Sequence, residues 1–95
     1  MSIPQLLVHD HVDNVGVVVV EGLKAGTKML GVVTADNSSF ELEAGADVPI
    51  GHKVALQDIK AGDTAIKYGQ DIGRFVAPVA KGGHVHVHNL KTKRW

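Results

Sequence analysis

Three histidines stand two apart in the run His84-Val85-His86-Val87-His88. Side chains on a β-strand alternate between faces, so the imidazoles share one side and the two valines take the other. Residues two apart on one face are separated by ~7 Å, which lets two neighbouring rings converge on one metal ion. His84 and His88 stand ~13 Å apart, so an undistorted strand cannot bring all three to one ion. A metal site on His84, His86 and His88 therefore uses at most two of them. It needs a further ligand from His52, Asp58 or a partner chain. The plainer reading is a polar face on an amphipathic strand.

A second cluster is Lys67-Tyr68-Gly69-Gln70-Asp71-Ile72-Gly73-Arg74. A glycine-rich turn between two strands exposes backbone N–H groups, and the flanking Lys67 and Arg74 suit an anion such as a carboxylate. The plainer reading is a hairpin with solvated charges. The third cluster, Pro49-Ile50-Gly51-His52-Lys53, is a turn that sets an imidazole beside a cation. His9 and His11 flank Asp10 and read as loop residues unless they fold back onto the histidine strand.

The elements that position these groups are short strands. Valine occurs 15 times in 95 residues, beside 11 glycines and four aromatics, a balance that favours strands and turns. Extended segments are predicted at 5–8, 15–20, 27–33, 40–43, 53–56, 64–68, 72–77 and 84–87. The four consecutive valines Val17 to Val20 predict a strand buried on both faces. The strongest helix candidate, 55–60, is a turn or two long. A rhythm of an apolar residue followed three later by glycine recurs at Leu23–Gly26, Leu42–Gly45, Ile59–Gly62 and Val79–Gly82, as in glycine-assisted turns feeding strands. The fold class is all-β, in one domain spanning 1–95.

Ten basic and ten acidic residues cancel, which lacks the basic footprint of a nucleic-acid binder. No apolar stretch approaches the ~18 residues of a membrane span, and the N-terminus has no charged-then-apolar leader. The absence of cysteine excludes disulfides and thiolate metal sites and makes a cytoplasmic setting the default. So small a chain at zero net charge is expected to associate, with itself when isolated or with a partner.

The run Gly51-His52-Lys53-Val54-Ala55-Leu56-Gln57-Asp58-Ile59, then Ile66-Lys67-Tyr68-Gly69, Ile72-Gly73 and His84-Val85-His86-Val87-His88-Asn89, resembles the SAF domain of the altronate/galactarate dehydratase family. The resemblance runs from about Leu7 to Arg94. It implies a β-clip fold and a lyase that removes a proton alpha to a carboxylate and expels a beta leaving group, giving a 2-keto acid. With no large domain following Trp95, the chain resembles the free-standing small (alpha) subunit that works with a large catalytic (beta) subunit. Iron is the implied metal, held mainly by that large subunit. The implied catalytic residues are His86, His88 and His52. Lys53, Lys67, Tyr68, Arg74 and Asn89 are implied contacts for the hydroxy acid. The leaving group, hydroxide or sulfite, stays open at this point.

Two other classes compete. A stand-alone ligand-binding β-clip can present a flat face to a ligand, as in the similar antifreeze proteins, but ice binding wants that face uncharged, which the cationic, imidazole-rich half argues against. A biotinyl or lipoyl carrier would need a lysine at a hairpin tip, and Lys24 beside Gly22 and Gly26 is a weak signal for one.

Overall fold

Nine short strands account for the regular structure of the computed structural model, which describes residues 4–67, 69–86 and 89–91. Tyr68 and His88, both implied site residues, lie outside the described residues. The strands are β1 (Leu6–Val8), β2 (Val15–Val18), β3 (Lys28–Val33), β4 (Ser38–Glu43), β5 (Lys53–Ala55), β6 (Thr64–Lys67), β7 (Gln70–Phe75), β8 (His84–Val85) and β9 (Leu90–Lys91). No helix occurs among the described residues, and the 55–60 segment runs from strand into a turn. The all-β expectation holds.

A six-stranded sheet runs β4-β3-β1-β2-β5-β8, and a three-stranded sheet runs β6-β7-β9. The β1–β3 pairing is parallel and every other named pairing is antiparallel. Alternation splits the larger sheet into two faces. One carries Leu6, Val18, Met29, Leu42 and Val54 into a first core, joined by Leu23, Ala44 and Val48. The other carries Val15, Ala55 and Val85 into a second core with Ile59, Ala65, Phe75 and Val79 from the smaller sheet and its turns. Each fully buried Val, Leu or Phe contributes ~1.5–3 kcal/mol, so two such cores make a stable body without disulfides.

The glycine rhythm is real but differs in one member. Gly26, Gly62 and Gly82 have φ of 87°, 94° and 85°, values that L side chains resist. The fourth such turn is Val48-Pro49-Ile50-Gly51, with Gly51 at φ 85°, and not the Leu42–Gly45 segment, whose Gly45 has no positive φ. The apolar leaders of these turns bridge in pairs, Leu23 with Val48 and Ile59 with Val79. Spacing alone cannot separate the two segments, because the deciding quantity is the backbone angle at glycine.

Candidate functional site

β5 pairs with β8 in the register Lys53↔Val85 and Val54↔His84, so one further residue along sets His52 opposite His86. The Gly51 turn starts this arrangement, with the His52 amide donating to Pro49 O at 3.1 Å and the Gly51 amide to Val18 O at 2.8 Å. Three imidazoles meet as a result. His52 Nδ1 and His84 Nε2 are 2.7 Å apart. Their centroids are 4.9 Å apart with planes within 19°, little more than one N···N contact plus two ring radii. The two rings thus meet edge to edge. His86 lies flat on His52, with centroids 3.6 Å apart and planes within 8°. The 6.3 Å between His84 and His86 is the diagonal of that right angle.

This geometry sets His52 and His84 to share a proton. In an N–H···N pair one nitrogen carries the proton, so each ring fixes the tautomer of the other. An ion between two facing nitrogens needs ~2.0–2.1 Å on each side, which a 2.7 Å gap does not give. The in-plane lone pairs of His52 and His86 run parallel and do not converge. Among the described residues no three His, Asp or Glu groups form a metal-holding cluster.

The strand expected at 84–87 is shorter. β8 ends at Val85, which is fully buried, and the chain turns at His86, whose carbonyl accepts from the amides of Asn89 and Leu90 at 3.1 and 3.0 Å. The 7%-exposed Asn89 closes this turn. Its Oδ1 accepts from the His86 amide at 3.0 Å and its Nδ2 donates to His84 O at 2.9 Å. Asn89 is thereby a positioning residue for both histidines, whatever else it touches.

Lysines form a second group. Lys53 leaves β5 on the opposite face from His52, beside Val17 in the β2 register. Lys67 lines a hollow of about 260 Å³ with His9, Val15, Val17 and Thr34. Burial, and then the nearby Lys67 charge, lower the Lys53 pKa below its ordinary 10.5. Two half-buried cations that repel each other thus stand on this side of the sheet. The hollow that Lys67 lines does not include His52, His84 or His86.

Arg74 stands apart. It pairs with Thr64 and Lys91, is exposed, and alternates with the fully buried Phe75, which puts it on the outer face of the small sheet. The Lys67–Gln70 turn also differs from the anion cradle foreseen. The Gly69 amide donates to Asp13 Oδ1 at 2.8 Å and the Gly73 amide to Asp71 Oδ1 at 3.0 Å, so both donors are engaged. An anion held there rests on the Lys67 side chain.

Asp13 and Asn14, between the segments expected at 5–8 and 15–20, are a pair whose role the sequence pattern did not reveal. Both are buried. Asn14 receives the Ile66 amide at 2.7 Å and donates to Thr64 O at 2.8 Å, clamping β6 to the start of β2 and setting where Lys67 emerges. Two adjacent amide- and carboxylate-bearing residues directly before a valine run were the available signal. His11 is exposed and contacts Asp36 at 2.8 Å. The Asp36 carboxyl is held well below the usual carboxylate range by the Ser38 hydroxyl and then by His11. A larger hollow of about 510 Å³ lies beside this pair, but Asp10, Asp13 and Glu41 border it, which disfavours an acid substrate.

The family model of the altronate/galactarate dehydratase SAF domain matches residues 4–93. The chain belongs to that family. This SAF domain is 50% identical over 95 residues to the (2R)-sulfolactate sulfo-lyase subunit alpha of Chromohalobacter salexigens, covering 100% of both chains. It is 67% identical over 67 residues to the subunit of the same name from Paracoccus pantotrophus, covering 70% of this chain and 100% of that one. Against the altronate dehydratase of Escherichia coli it is 45% identical over 80 residues, 84% of this chain but 15% of the dehydratase. The SAF domain is thus a whole protein in the first two relatives and a small part of the third.

The strain at Lys53 predicts how the isolated SAF domain responds to pH. Its folded pKa lies below 10.5, so between the two values the unfolded chain binds more protons and stability rises with pH. Below that window the charged amine is a fixed liability. Lys53→Met therefore raises Tm slightly at neutral pH, by at most about 2 °C because solvent screens the exposed part of the amine. The advantage shrinks as pH is raised to 10.5, which thermal melts across that range measure.

Proposed function

We propose that this chain is the alpha subunit of a two-subunit lyase that expels sulfite from (2R)-sulfolactate to give pyruvate. The observation that carries the reading is the end-to-end match to a sulfolactate sulfo-lyase subunit alpha, at 50% identity with neither chain overhanging. The dehydratase match covers 15% of that protein, which places sugar-acid dehydration second.

The reaction removes the proton on the carbon bearing the hydroxyl, breaks the carbon–sulfur bond on the next carbon, and leaves the enol of pyruvate, which ketonises. It needs a base, a means of holding the developing enediolate, and cations for the carboxylate and sulfonate. From this chain, Lys53 and Lys67 supply the cations. The His52–His84 pair supplies imidazole nitrogens of fixed tautomer, and His86 holds the His52 ring flat. The two groups leave β5 at consecutive residues and flank its end, and the large subunit completes the enclosure. Iron(II), implied by the resemblance, belongs in this reading to the large subunit, because the described imidazoles do not converge on an ion. We route no step through it.

The test is the co-purified complex assayed on two substrates. Sulfite and pyruvate released from sulfolactate, with no turnover of altronate, support the reading. Turnover of altronate alone moves the chain to the dehydratases. The isolated chain is expected to turn over neither, since the hollow lined by Lys67 does not take in the imidazoles.

A further inference from the structure

Val17 to Val20 read as a strand buried on both faces, and the chain satisfies only half of that. Val18 is fully buried in the first core, while Val19 is 36% exposed and Val17 is half-buried. The shortfall extends across the sheet. The register Val17↔Leu7↔Val32 sets three apolar side chains in a row on the outward face of β2, β1 and β3. Leu30 and Val19 lie one row along, joined through Gln5, whose amide donates to Leu30 O and whose carbonyl accepts from the Val19 amide, each at 3.0 Å. Solvated faces of sheets carry polar residues at such positions. Among the described residues, the smaller sheet packs on this side of the larger one at Val15, Ala55 and Val85.

We infer that the outward face of Val17, Leu7 and Val32, with Val19 and Leu30, is the docking surface for the large subunit. The inference rests on the lyase reading above. Its occupant follows from the comparison of lengths. The SAF segment is 15% of one dehydratase chain and 100% of the two free alpha subunits, so the body that shares a chain with this module there is a separate chain here. A body several times larger than the module is the natural missing layer. The face also has the right neighbours. Val17 pairs with Lys53, so a subunit seated there borders the lysines and closes the hollow that Lys67 lines, while the imidazoles leave β5 on the other face.

The chain has no cysteine, so a single introduced thiol is a unique label. Val19→Cys and Val32→Cys are compared with Val12→Cys and Val76→Cys, which replace valines 61% and 43% exposed and off this face. Maleimide labelling is timed for each variant alone and after addition of the purified large subunit from the same organism. The expected result is at least about tenfold slower labelling at 19 and 32 in the complex, with 12 and 76 unchanged, because interface cores exclude water. Val19→Glu is expected to weaken association about 10- to 100-fold while leaving the melting curve of the isolated chain intact. A complex that forms and is active with positions 19 and 32 still reactive overturns the docking surface and leaves the lyase reading standing. Shielding of 19 and 32 in the chain alone, lost on dilution, assigns the face to a second copy and also overturns it. Failure of any complex to form overturns both.

Discussion

Replacing His52 with phenylalanine lowers turnover of the assembled lyase by about 10²–10⁴-fold, the range for losing a positioned proton-transfer group. His52 is the junction of the trio: it bonds His84 at 2.7 Å and carries His86 at 3.6 Å. Phenylalanine keeps the flat surface on which His86 lies and removes both nitrogens, so packing survives while proton handling does not. Association with the large subunit and the thermal melt are expected to match the wild type. His84→Phe should fall between the two, because it removes the tautomer-fixing partner and leaves the His52 nitrogens in place. The readout is kcat for sulfite release by a fixed amount of complex. Full activity in His52→Phe would take the imidazole trio out of the mechanism and leave the lysines as this chain's contribution.

Asn89→Leu is expected to cost about 2–4 kcal/mol of stability, since it strands a partly buried amide at His86 and a partly buried carbonyl at His84. In a domain of this size that lowers Tm by at least about 10 °C. Because leucine has similar volume, a cavity does not account for the loss. The same substitution is expected to reduce turnover at temperatures where the protein remains folded, as His84 and His86 lose the clip that aims them. Asn89→Asp separates the two kinds of role. Its carboxylate can still accept from the His86 amide, so part of the Tm returns if Asn89 acts through the turn. A side chain that only touched substrate would leave Tm at the wild-type value in both variants, and that outcome would remove the positioning role.

Much of the fold was legible because local rules decide it. Val15 to Val18, Lys28 to Val33 and Thr64 to Lys67 are strands because β-branched and apolar residues alternate there between turn-forming glycines. The length of β8 was not legible. His84-Val85-His86-Val87 alternates as a strand should, yet the chain turns at His86 because the Asn89 side chain competes for its backbone amide and wins. The member of the glycine rhythm at Gly51 rather than Gly45 is of the same kind, since a backbone angle cannot be read from spacing.

The sequence by itself determined an all-β chain with a histidine strand, a His-Lys turn and a Lys-bearing hairpin, and it carried the family. Residue type and period are enough for that, because each depends on neighbours along the chain. Only the tertiary structure decided which of those groups meet. The β5–β8 register brought His52 to His84 and His86, and the face alternation at Val17 set Lys53 beside Lys67's side of the sheet, away from Arg74. Ring planes and N···N distances then showed His52, His84 and His86 as a hydrogen-bonded, stacked trio. Those quantities are set by pairings between residues 32 positions apart in the chain, and no local pattern encodes them.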